Sequence, residues 1–386
     1  TQSGRAYAFG SNTNDRLGIG FDTLQTVVPT EMKDNAGAPV VLASDITVGE
    51  TYTYLLTTSL TTGKSLIYAY GEEYKTPQAI AQVDNAVQLA GHYLRTASGK
   101  VWEITVGTTM ATPVTGFTDT PDDVSSELDI IKIAASSTHM MALDINGTVW
   151  AMGDNSHGQL GIGDGENVQT SYDKPVHVLV GDAQALAVRG DSGTYLGHIF
   201  DIAVGEYTSY ALGKVSVETE EGSGIFEDQY YVTAWGYDSV GQLGQITKTG
   251  VSSGWTPIGE DFERPGVIRS GKPYEMIYAG YEDFFAVDYP GKVWALGDNS
   301  HDQFANSSTA NADNFTLVGE TELMVYVAKD YRIDDETGKG ILGEGVLYDA
   351  ANADHAGMTR YNRIENDESW DIAENGAYVF INGIYE

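Results

Sequence analysis

The stretch HMMALDINGTVWAMGDNSHGQLGIG, from His139 to Gly163, determines how the rest of the chain is interpreted. It predicts two short strands joined by a tight turn at Asn146-Gly147, because such dipeptides between hydrophobic runs are typical of β-hairpins. The second strand alternates, with Trp150 and Met152 on one face and smaller residues on the other. A second turn follows at Gly153, so the stretch reads as strand, turn, strand, turn.

This unit recurs along the chain. The clearest second copy is FFAVDYPGKVWALGDNSHDQFAN, from Phe284 to Asn306, with its hairpin turn at Pro290-Gly291. Self-similarity of this kind is the sequence signature of a repeat fold. Weaker copies bring the number to seven, and the small residues that anchor them are Gly10, Gly71, Thr105, Gly153, Gly236, Gly297 and Ala350.

The two ends of the chain complement each other. A further strand pattern precedes each copy, for example DITVGETYTYLL from Asp45 and IFDIAVGEYTSYAL from Ile199. Only six such patterns precede the seven copies, and the seventh, SWDIAENGAYVFINGIYE, lies at the C-terminus from Ser369 to Glu386. We therefore predict that residues 1–32 and 370–386 form one blade, which closes the ring and removes its exposed sheet edge.

The run GDNSHGQLGIGD, from Gly153 to Asp164, resembles the signature of the regulator-of-chromosome-condensation repeat family, and the stretch from Gly205 to Leu212 is similar to its upstream pattern. The resemblance extends over nearly the whole chain and is strong in two or three repeats. It implies an all-β fold, a seven-bladed β-propeller that forms a single domain over residues 1–386. Loop insertions into this propeller are expected near residues 214–231, 245–266 and 331–344.

The family resemblance implies no single function, because function depends on sites grafted onto the fold. Known members include a nucleotide exchange factor for a small GTPase, chromatin binders and a secreted protein inhibitor of β-lactamases. The formal net charge of −34 disfavours nucleic acid as a partner, because its binding requires Lys and Arg to displace counterions. No apolar run approaches the length of about 20 residues that a membrane helix needs, so membrane insertion is not expected.

The glycines and polar residues that repeat are interpreted as structural. Asn and Asp side chains in tight turns bond their own backbone, and glycine adopts the positive φ that such turns require. The leucine that follows each turn is expected to pack between blades. This structural role is assigned to Gly10, Leu17, Gly153, Asn155, Gly158, Leu160, Gly161, Gly236, Leu243, Gly297 and Asn299.

The reactive residues favour no catalytic or metal site. The absence of Cys excludes thiolate chemistry and Cys-based zinc sites. The seven His form no HExxH motif, and His157 and His301 occupy equivalent repeat positions, which places them on different blades. Residues Gly163 to Asn167 resemble half of a calcium loop but lack the spacing and terminal Glu of an EF-hand. We expect no catalytic residue, no metal and no cofactor.

The candidate partner-binding residues are aromatic residues in the segments that do not follow the repeat pattern. Trp255 and Phe262 lie in the long irregular stretch at 245–266, and Phe226 and Tyr230 lie near an acidic insertion. Exposed aromatic side chains on loops are typical anchors for protein partners. These four residues are therefore predicted to contact a protein partner or a neighbouring subunit of an assembly.

Three functions remain open. The first is a non-enzymatic protein-binding or structural module on an exterior surface, in a secreted protein, a cell-surface domain or the decoration of a virion. The richness in Thr, Asn, Gly and Tyr without Cys favours this one. The second is an intracellular guanine-nucleotide-exchange-type regulator of a small GTPase. The third is an enzyme, a lyase or a glycosidase, that uses one face of the propeller.

Overall fold

The computed structural model describes most of the chain. The described residues are 4–20, 24–49, 52–72, 74–80, 83–117, 129–163, 169–178, 199–218, 224, 226–244, 246–247, 261–268, 273–288, 291–306, 308–318, 324–328, 331–333, 340–342, 345–349, 359–364 and 379–380. Within these ranges no helix has the length and apolar character needed to cross a membrane.

The predicted all-β fold is confirmed in the described residues. The N-terminal sheet contains β1 (Tyr7–Ser11) and β2 (Gln25–Glu31), with a short 3₁₀ turn, Thr13–Asp15, between them. Sheet I contains β3 (Ala43–Val48), β4 (Tyr52–Thr58), β5 (Ser65–Gly71) and β6 (Tyr74–Ile80). Sheet II contains β7 (Ala86–Ala90), β8 (Tyr93–Thr96), β9 (Val101–Ile104) and β10 (Ala111–Val114).

The next three sheets continue the same pattern. Sheet III contains β11 (Ile130–Ala135), β12 (His139–Asp144), β13 (Val149–Asp154) and β14 (Ser171–His177). Sheet IV contains β15 (Ile199–Val204), β16 (Thr208–Glu218), β17 (Phe226–Tyr237), β18 (Ile246–Thr247) and β19 (Asp261–Ile268). Sheet V contains β20 (Tyr274–Ala279), β21 (Asp283–Asp288), β22 (Val293–Gly297) and β23 (Ala312–Leu317). In sheets I, II, III and V the strands follow each other as antiparallel neighbours in chain order.

Sheets I to V pack against each other in chain order. Their first strands, β3, β7, β11, β15 and β20, each contact the first strand of the next sheet. A separate hydrophobic core lies between each pair of neighbouring sheets. The core between sheets III and IV, for example, joins Leu143, Val149 and Leu160 to Ile202 and Trp235. This is the arrangement of consecutive blades about a common axis.

The last part of the chain forms sheet VI and a hairpin. The strands of sheet VI are β24 (Met324–Ala328), β27 (Gly345–Asp349), β28 (Thr359–Ile364) and β29 (Val379–Phe380), and the hairpin is β25 (Tyr331–Ile333) with β26 (Gly340–Leu342). The strand β29 pairs parallel to β24, with Val325 opposite Val379. This pairing differs from the predicted blade of residues 1–32 with 370–386. Because only residues 379 and 380 of the C-terminal segment are described, ring closure and the number of blades stay predictions.

The described residues of the three predicted insertions include β-strands. Residues 214–231 extend the hairpin of β16 and β17, with Glu218 opposite Phe226 at its far end. Phe262 was expected in an irregular stretch, but it lies in β19, where it pairs with Gly236 of β17. The third predicted insertion, 331–344, contains the β25–β26 hairpin. Backbone hydrogen bonding therefore organises segments in which the repeat pattern is lost.

Candidate functional site

One hydrogen bond recurs in the turn that follows the third strand of the repeat. In sheet III the amide of Leu160 donates to Oδ1 of Asn155, five residues earlier, at 3.0 Å. Equivalent bonds run from Leu17 to Asn12, from Leu243 to Asp238 and from Phe304 to Asn299. The side chain thus replaces a backbone acceptor and folds the loop tightly, so the apolar residue at its end turns inward. Leu160, Leu243 and Phe304 are fully buried.

A glycine at the end of the third strand allows this turn. Gly153 lies at a register shift between β13 and β14 and has φ +113°. A Cβ placed on it would lie 2.6 Å from the carbonyl oxygen of Thr138, closer than real Cβ atoms approach. Gly236 and Gly297 occupy equivalent bulges and meet backbone oxygens in the same way. Any other residue at these three positions would strain the backbone and displace the neighbouring turn.

The repeat loop also ties its sheet to the next one. The carbonyl of Gln159 accepts hydrogen bonds from Nε1 of Trp235 and from Oγ of Ser209, both at 2.8 Å. The Gln159 side chain donates to Asp154, and its Oε1 accepts from the amide of His157. All four polar bonds hold the loop in one position, so these side chains serve the seam between sheets III and IV.

Ser209 and His139 form a pair that looks like a nucleophile and its base. His139 Nε2 lies 2.7 Å from Ser209 Oγ, and both residues are buried. Because the serine hydroxyl donates to Gln159, the histidine must be the donor in the bond between them. Burial lowers the pKa of His139 to about 3, so the ring is neutral. A substrate cannot reach this hydroxyl, and the geometry supports a structural role.

The first strands are linked by side chains around the inner side of the sheets. Asp45 accepts from the amide of Leu89 at 2.6 Å, and Gln88 bonds both backbone groups of Ile133. Lys132 forms a salt bridge with Asp201, and the Asp201 carboxylate accepts from Ile277 at 2.9 Å. Each link joins one sheet to its successor, so polar groups at one strand position connect sheets I to V.

The five sheets present two faces. The loop face contains the turn between the first and second strands of each sheet and the loop after its third strand. On it, His157 contacts Tyr207 and Tyr237, with ring centroids 4.9 Å and 4.7 Å apart. The hairpin face, at the opposite end, contains the turns between second and third strands. The strands β16 and β17 extend beyond the other sheets on this side.

Exposed apolar side chains surround the base of this extension. The ring of Phe200 lies edge-on to Tyr230, with centroids 6.1 Å apart. Ile131, at the equivalent position of the neighbouring first strand, and Ile145, in the adjacent hairpin turn, are exposed. The hairpin face therefore combines a projecting two-stranded element with an apolar surface at its base, which is the composition of a protein-binding site.

The predicted partner-binding residues are only partly brought together. Tyr230 is half-buried beside Phe200, on the hairpin face. The backbone of Phe226 lies at the far end of the same hairpin, whereas that of Phe262 lies in β19. Trp255 lies outside the described residues. Sequence reasoning missed Ile131 and Phe200, although apolar residues at the same bulge position of consecutive first strands, with Val87 as a third, were a usable signal.

Within the described residues, no group of His, Asp and Glu side chains is arranged to hold a metal ion. Two family models with the description "Regulator of chromosome condensation (RCC1) repeat" match the chain, over residues 130–159 and 146–212. These residues contain the repeat loop of sheet III and Ser209 of the seam described above. Residues 130–212 of the chain are thus similar to RCC1 repeats.

Relatives of this chain include the human E3 ubiquitin-protein ligase HERC2, which is 26% identical over 344 residues. The match covers 82% of this chain and 6% of the relative, and the mouse HERC2 protein matches to the same extent. The chain thus spans a small fraction of the length of these curated relatives.

Two solved structures resemble the fold. Human WBSCR16 has a TM-score of 0.57 at 15% identity, covering 82% of this chain and 77% of that one. Prp20p from Saccharomyces cerevisiae has a TM-score of 0.56 at 14% identity, covering 95% of this chain and 87% of that one. At these identities the likeness concerns the fold alone, and it supports a propeller.

Proposed function

We propose that the chain is a non-enzymatic protein-binding module and that the hairpin face is its partner surface. The observation that supports this most directly is the extended β16–β17 hairpin with Phe200 and Tyr230 at its base. The far part of this hairpin, residues 215–229, carries no repeat residue. A projecting ribbon beside exposed Ile131 and Ile145 offers the area that a contact of ordinary size needs, about 800 Å² on one side.

Two purified proteins serve as probes. Prp20p was described with its binding properties to Gsp1p and histones, so Gsp1p and histones are the first partners to test with this chain. Biolayer interferometry would compare the natural chain with a variant in which residues 215–229 are replaced by an Asn-Gly turn. We expect the shortened chain to bind at least about tenfold more weakly, because a central anchor contributes about 2 kcal/mol or more.

A pair of substitutions sharpens this test. Phe200→Ser should weaken binding because it removes an exposed ring at the hairpin base. Leu60→Ser changes a more exposed apolar residue on the same face, in the second-to-third-strand turn of sheet I rather than at the base of the extended hairpin of sheet IV, and should leave binding unchanged. Equal binding by the natural chain, the shortened chain and Phe200→Ser would contradict the proposed surface. Loss of binding in Leu60→Ser alone would indicate that the partner binds near Leu60 in sheet I and not at the extended hairpin.

The second candidate is a regulator of nucleotide exchange on a small GTPase, which the family resemblance implies. The similarity to Prp20p over 95% of the chain favours it. Its test is the release of a fluorescent guanine nucleotide from Gsp1p. An accelerated release would support exchange activity, whereas binding without acceleration would favour a scaffold.

We also propose that the sheets close into a seven-bladed ring within one domain. Apolar residues are exposed at both ends of the arc of described sheets. Phe9 is 65% exposed, whereas Tyr70, at the same repeat position in sheet I, is 1% exposed. Ile46 is 45% exposed, whereas its counterpart Ile202 is 1% exposed. A closing blade would bury Phe9 and Ile46, as the neighbouring blades bury their counterparts.

The compartment is a further proposal. An exterior location, on a secreted protein, a cell surface or a virion, rests on composition alone: many Thr, Asn, Gly and Tyr residues and no Cys. Exchange activity on a GTPase would instead require an intracellular location. Labelling of intact source cells or particles with an antibody against the chain separates the two, because only an exterior protein is labelled without permeabilisation.

A further inference from the structure

The loop face carries an aromatic cluster at the seam between two sheets. His157 comes from the repeat loop of sheet III, whereas Tyr207 and Tyr237 come from sheet IV. The amide of Tyr237 donates to the carbonyl of Tyr207 at 3.0 Å, so the two tyrosines keep a fixed spacing. All three side chains are half-buried, which leaves part of each ring at the surface.

The cluster continues into the next seam. The amide of Glu206 donates to the carbonyl of Tyr281 at 3.0 Å, which holds the turn of sheet IV against the turn of sheet V. Tyr281 is 65% exposed. The aromatic surface therefore extends from sheet III to sheet V, with the Glu206 carboxylate within it.

The formal charges are separated between the two faces. The described loop-face segments of sheets III to V include residues 136–139, 154–163, 205–208, 237–244, 280–283 and 298–306, and these described residues contain no Lys or Arg. The carboxylates in these segments are Asp154, Glu206, Asp238, Glu282, Asp283, Asp298 and Asp302. On the hairpin face, Lys214 in β16 of sheet IV and Lys292 in the β21–β22 turn of sheet V lie at the opposite ends of their strands.

The carboxylates at the cluster are held by neutral donors. Glu206 accepts from the hydroxyl of Ser137, and Asp154 accepts from Ser156 and Gln159. The salt bridges formed between described residues lie elsewhere, for example at Lys132–Asp201. The hydrogen bonds to the Glu206 and Asp154 carboxylates thus leave their negative charge in place beside the aromatic rings.

We infer that the aromatic cluster of His157, Tyr207 and Tyr237 on the loop face binds a lysine or arginine side chain in a basic segment of a protein partner. Tyrosine faces attract such cations through the ring quadrupole, and the adjacent carboxylates add charge-assisted hydrogen bonds. The inference rests on the proposed protein-binding function. It uses the face opposite the hairpin, so one partner could engage either face or both.

The probe is a fluorescent Lys- and Arg-containing decapeptide, with a second peptide in which every Lys and Arg is replaced by Gln. Fluorescence anisotropy with the full chain measures both. We expect the basic peptide to bind and the neutral one not to bind, with affinity falling as NaCl rises from about 50 to about 300 mM. Binding of the neutral peptide with equal affinity would overturn the inference.

Substitutions distinguish binding at the aromatic cluster from general attraction of the peptide to the negative net charge of the chain. Tyr207→Ser with Tyr237→Ser should weaken peptide binding by roughly tenfold, because two ring faces are removed. Glu206→Gln should also weaken it. Asp173→Asn removes one charge from an exposed position of the outer strand β14 and should have no effect. Equal losses in Glu206→Gln and Asp173→Asn would indicate attraction to net charge only and would contradict a site at the cluster.

The shortened-hairpin chain distinguishes this inference from the proposed hairpin surface. It should bind the basic peptide as well as the natural chain does, because residues 215–229 lie on the other face. Circular dichroism and thermal unfolding of the double tyrosine variant establish that it is folded. A folded double variant that binds the peptide with unchanged affinity would overturn the inference even if the hairpin surface proves correct.

Discussion

At the residue scale, one side-chain acceptor shapes the repeat. Asn12, Asn155, Asp238 and Asn299 all accept from the amide five residues later. The sequence predicts that Asn and Asp bond their own backbone here, because these residues do so in tight turns. It does not reveal which amide is the donor, because that depends on the path of the loop. Asp238 shows that a carboxylate can replace the amide as acceptor.

Substitution of two glycines at the same bulge position distinguishes the cost of backbone strain from the cost of steric crowding. Gly153 and Gly10 have φ +113° and +108°, but a Cβ on Gly10 meets nothing within 4 Å. Gly153→Ala should therefore reduce the free energy of unfolding by roughly 2–4 kcal/mol, and Gly10→Ala by roughly 1–2 kcal/mol. Urea denaturation followed by tryptophan fluorescence measures both. Equal losses would show that the contact with Thr138 contributes nothing.

Because His139 is buried at the seam between sheets III and IV, we expect the stability of the folded chain to fall at acidic pH. Its pKa is lowered to about 3 by burial, below the ordinary value of 6.5. The unfolded chain therefore binds the proton more tightly, and the stability that a neutral His139 provides is complete above about pH 6.5 and decreases as the pH falls towards 3. The slope contributed by this group is about 1.4 kcal/mol per pH unit within that window.

The measurement is urea denaturation at several values between about pH 7 and pH 5, chosen to lie above most carboxylate titrations. The natural chain should lose stability more steeply than His139→Gln, which has no proton to take up. His301→Gln, an exposed position in the equivalent loop of another sheet, serves as the control and should retain the steep slope. Parallel curves for the natural chain and His139→Gln would refute the assignment.

At the element scale, the links between first strands depend on position rather than residue type. Asp45, Gln88, Lys132 and Asp201 occupy one repeat position, and each reaches the following sheet. Their chemistry differs, so no residue pattern in the sequence marks the position. The strand pattern itself was predictable, although the predicted segments in sheets I to V each fold as two strands with a turn, as β11 and β12 show.

The Asp201 link allows a test between sheets III, IV and V. Asp201→Ala removes the acceptor for the amides of Ile202 and Ile277 and leaves Lys132 without its partner. We expect a loss of roughly 2–4 kcal/mol in the free energy of unfolding. Lys132→Met leaves both amide bonds intact and should cost less. If Lys132→Met destabilises the chain as much as Asp201→Ala, the salt bridge, rather than the amide bonds, holds the sheets together.

At the scale of the whole molecule, exposed apolar residues at the two ends of the arc of described sheets mark the surfaces that a closing blade would bury. Ile46 and Phe9 lie at one end, and Met276 and Tyr278 at the other, all of them exposed. The repeat predicted the order of the strand units along the chain, and the family resemblance implied that they form a propeller. It could not establish how the ends meet, because the C-terminal copy, from Ser369, is the most divergent and its pairing depends on contacts far away in sequence.

Alignment of the C-terminal pattern with the other first strands specifies the closing contact. Asp371, Ile372 and Ala373 align with Asp201, Ile202 and Ala203 of β15. Ala203 packs in the core that contains Ile277 of the next sheet, so a closed ring places the aligned Ala373 beside Ile46. A chain without residues 370–386 would then expose a sheet edge as well as Ile46, and we expect it to aggregate.

The most direct test of the closed ring uses the absence of Cys in the natural chain. A double variant, Ile46→Cys with Ala373→Cys, is oxidised and analysed by mass spectrometry and by mobility on a non-reducing gel. Ala134→Cys with Ile202→Cys, in the core between sheets III and IV, is the control for neighbouring sheets. The closed ring predicts that both pairs form an intramolecular disulfide; a folded chain in which only the control pair does so would contradict it.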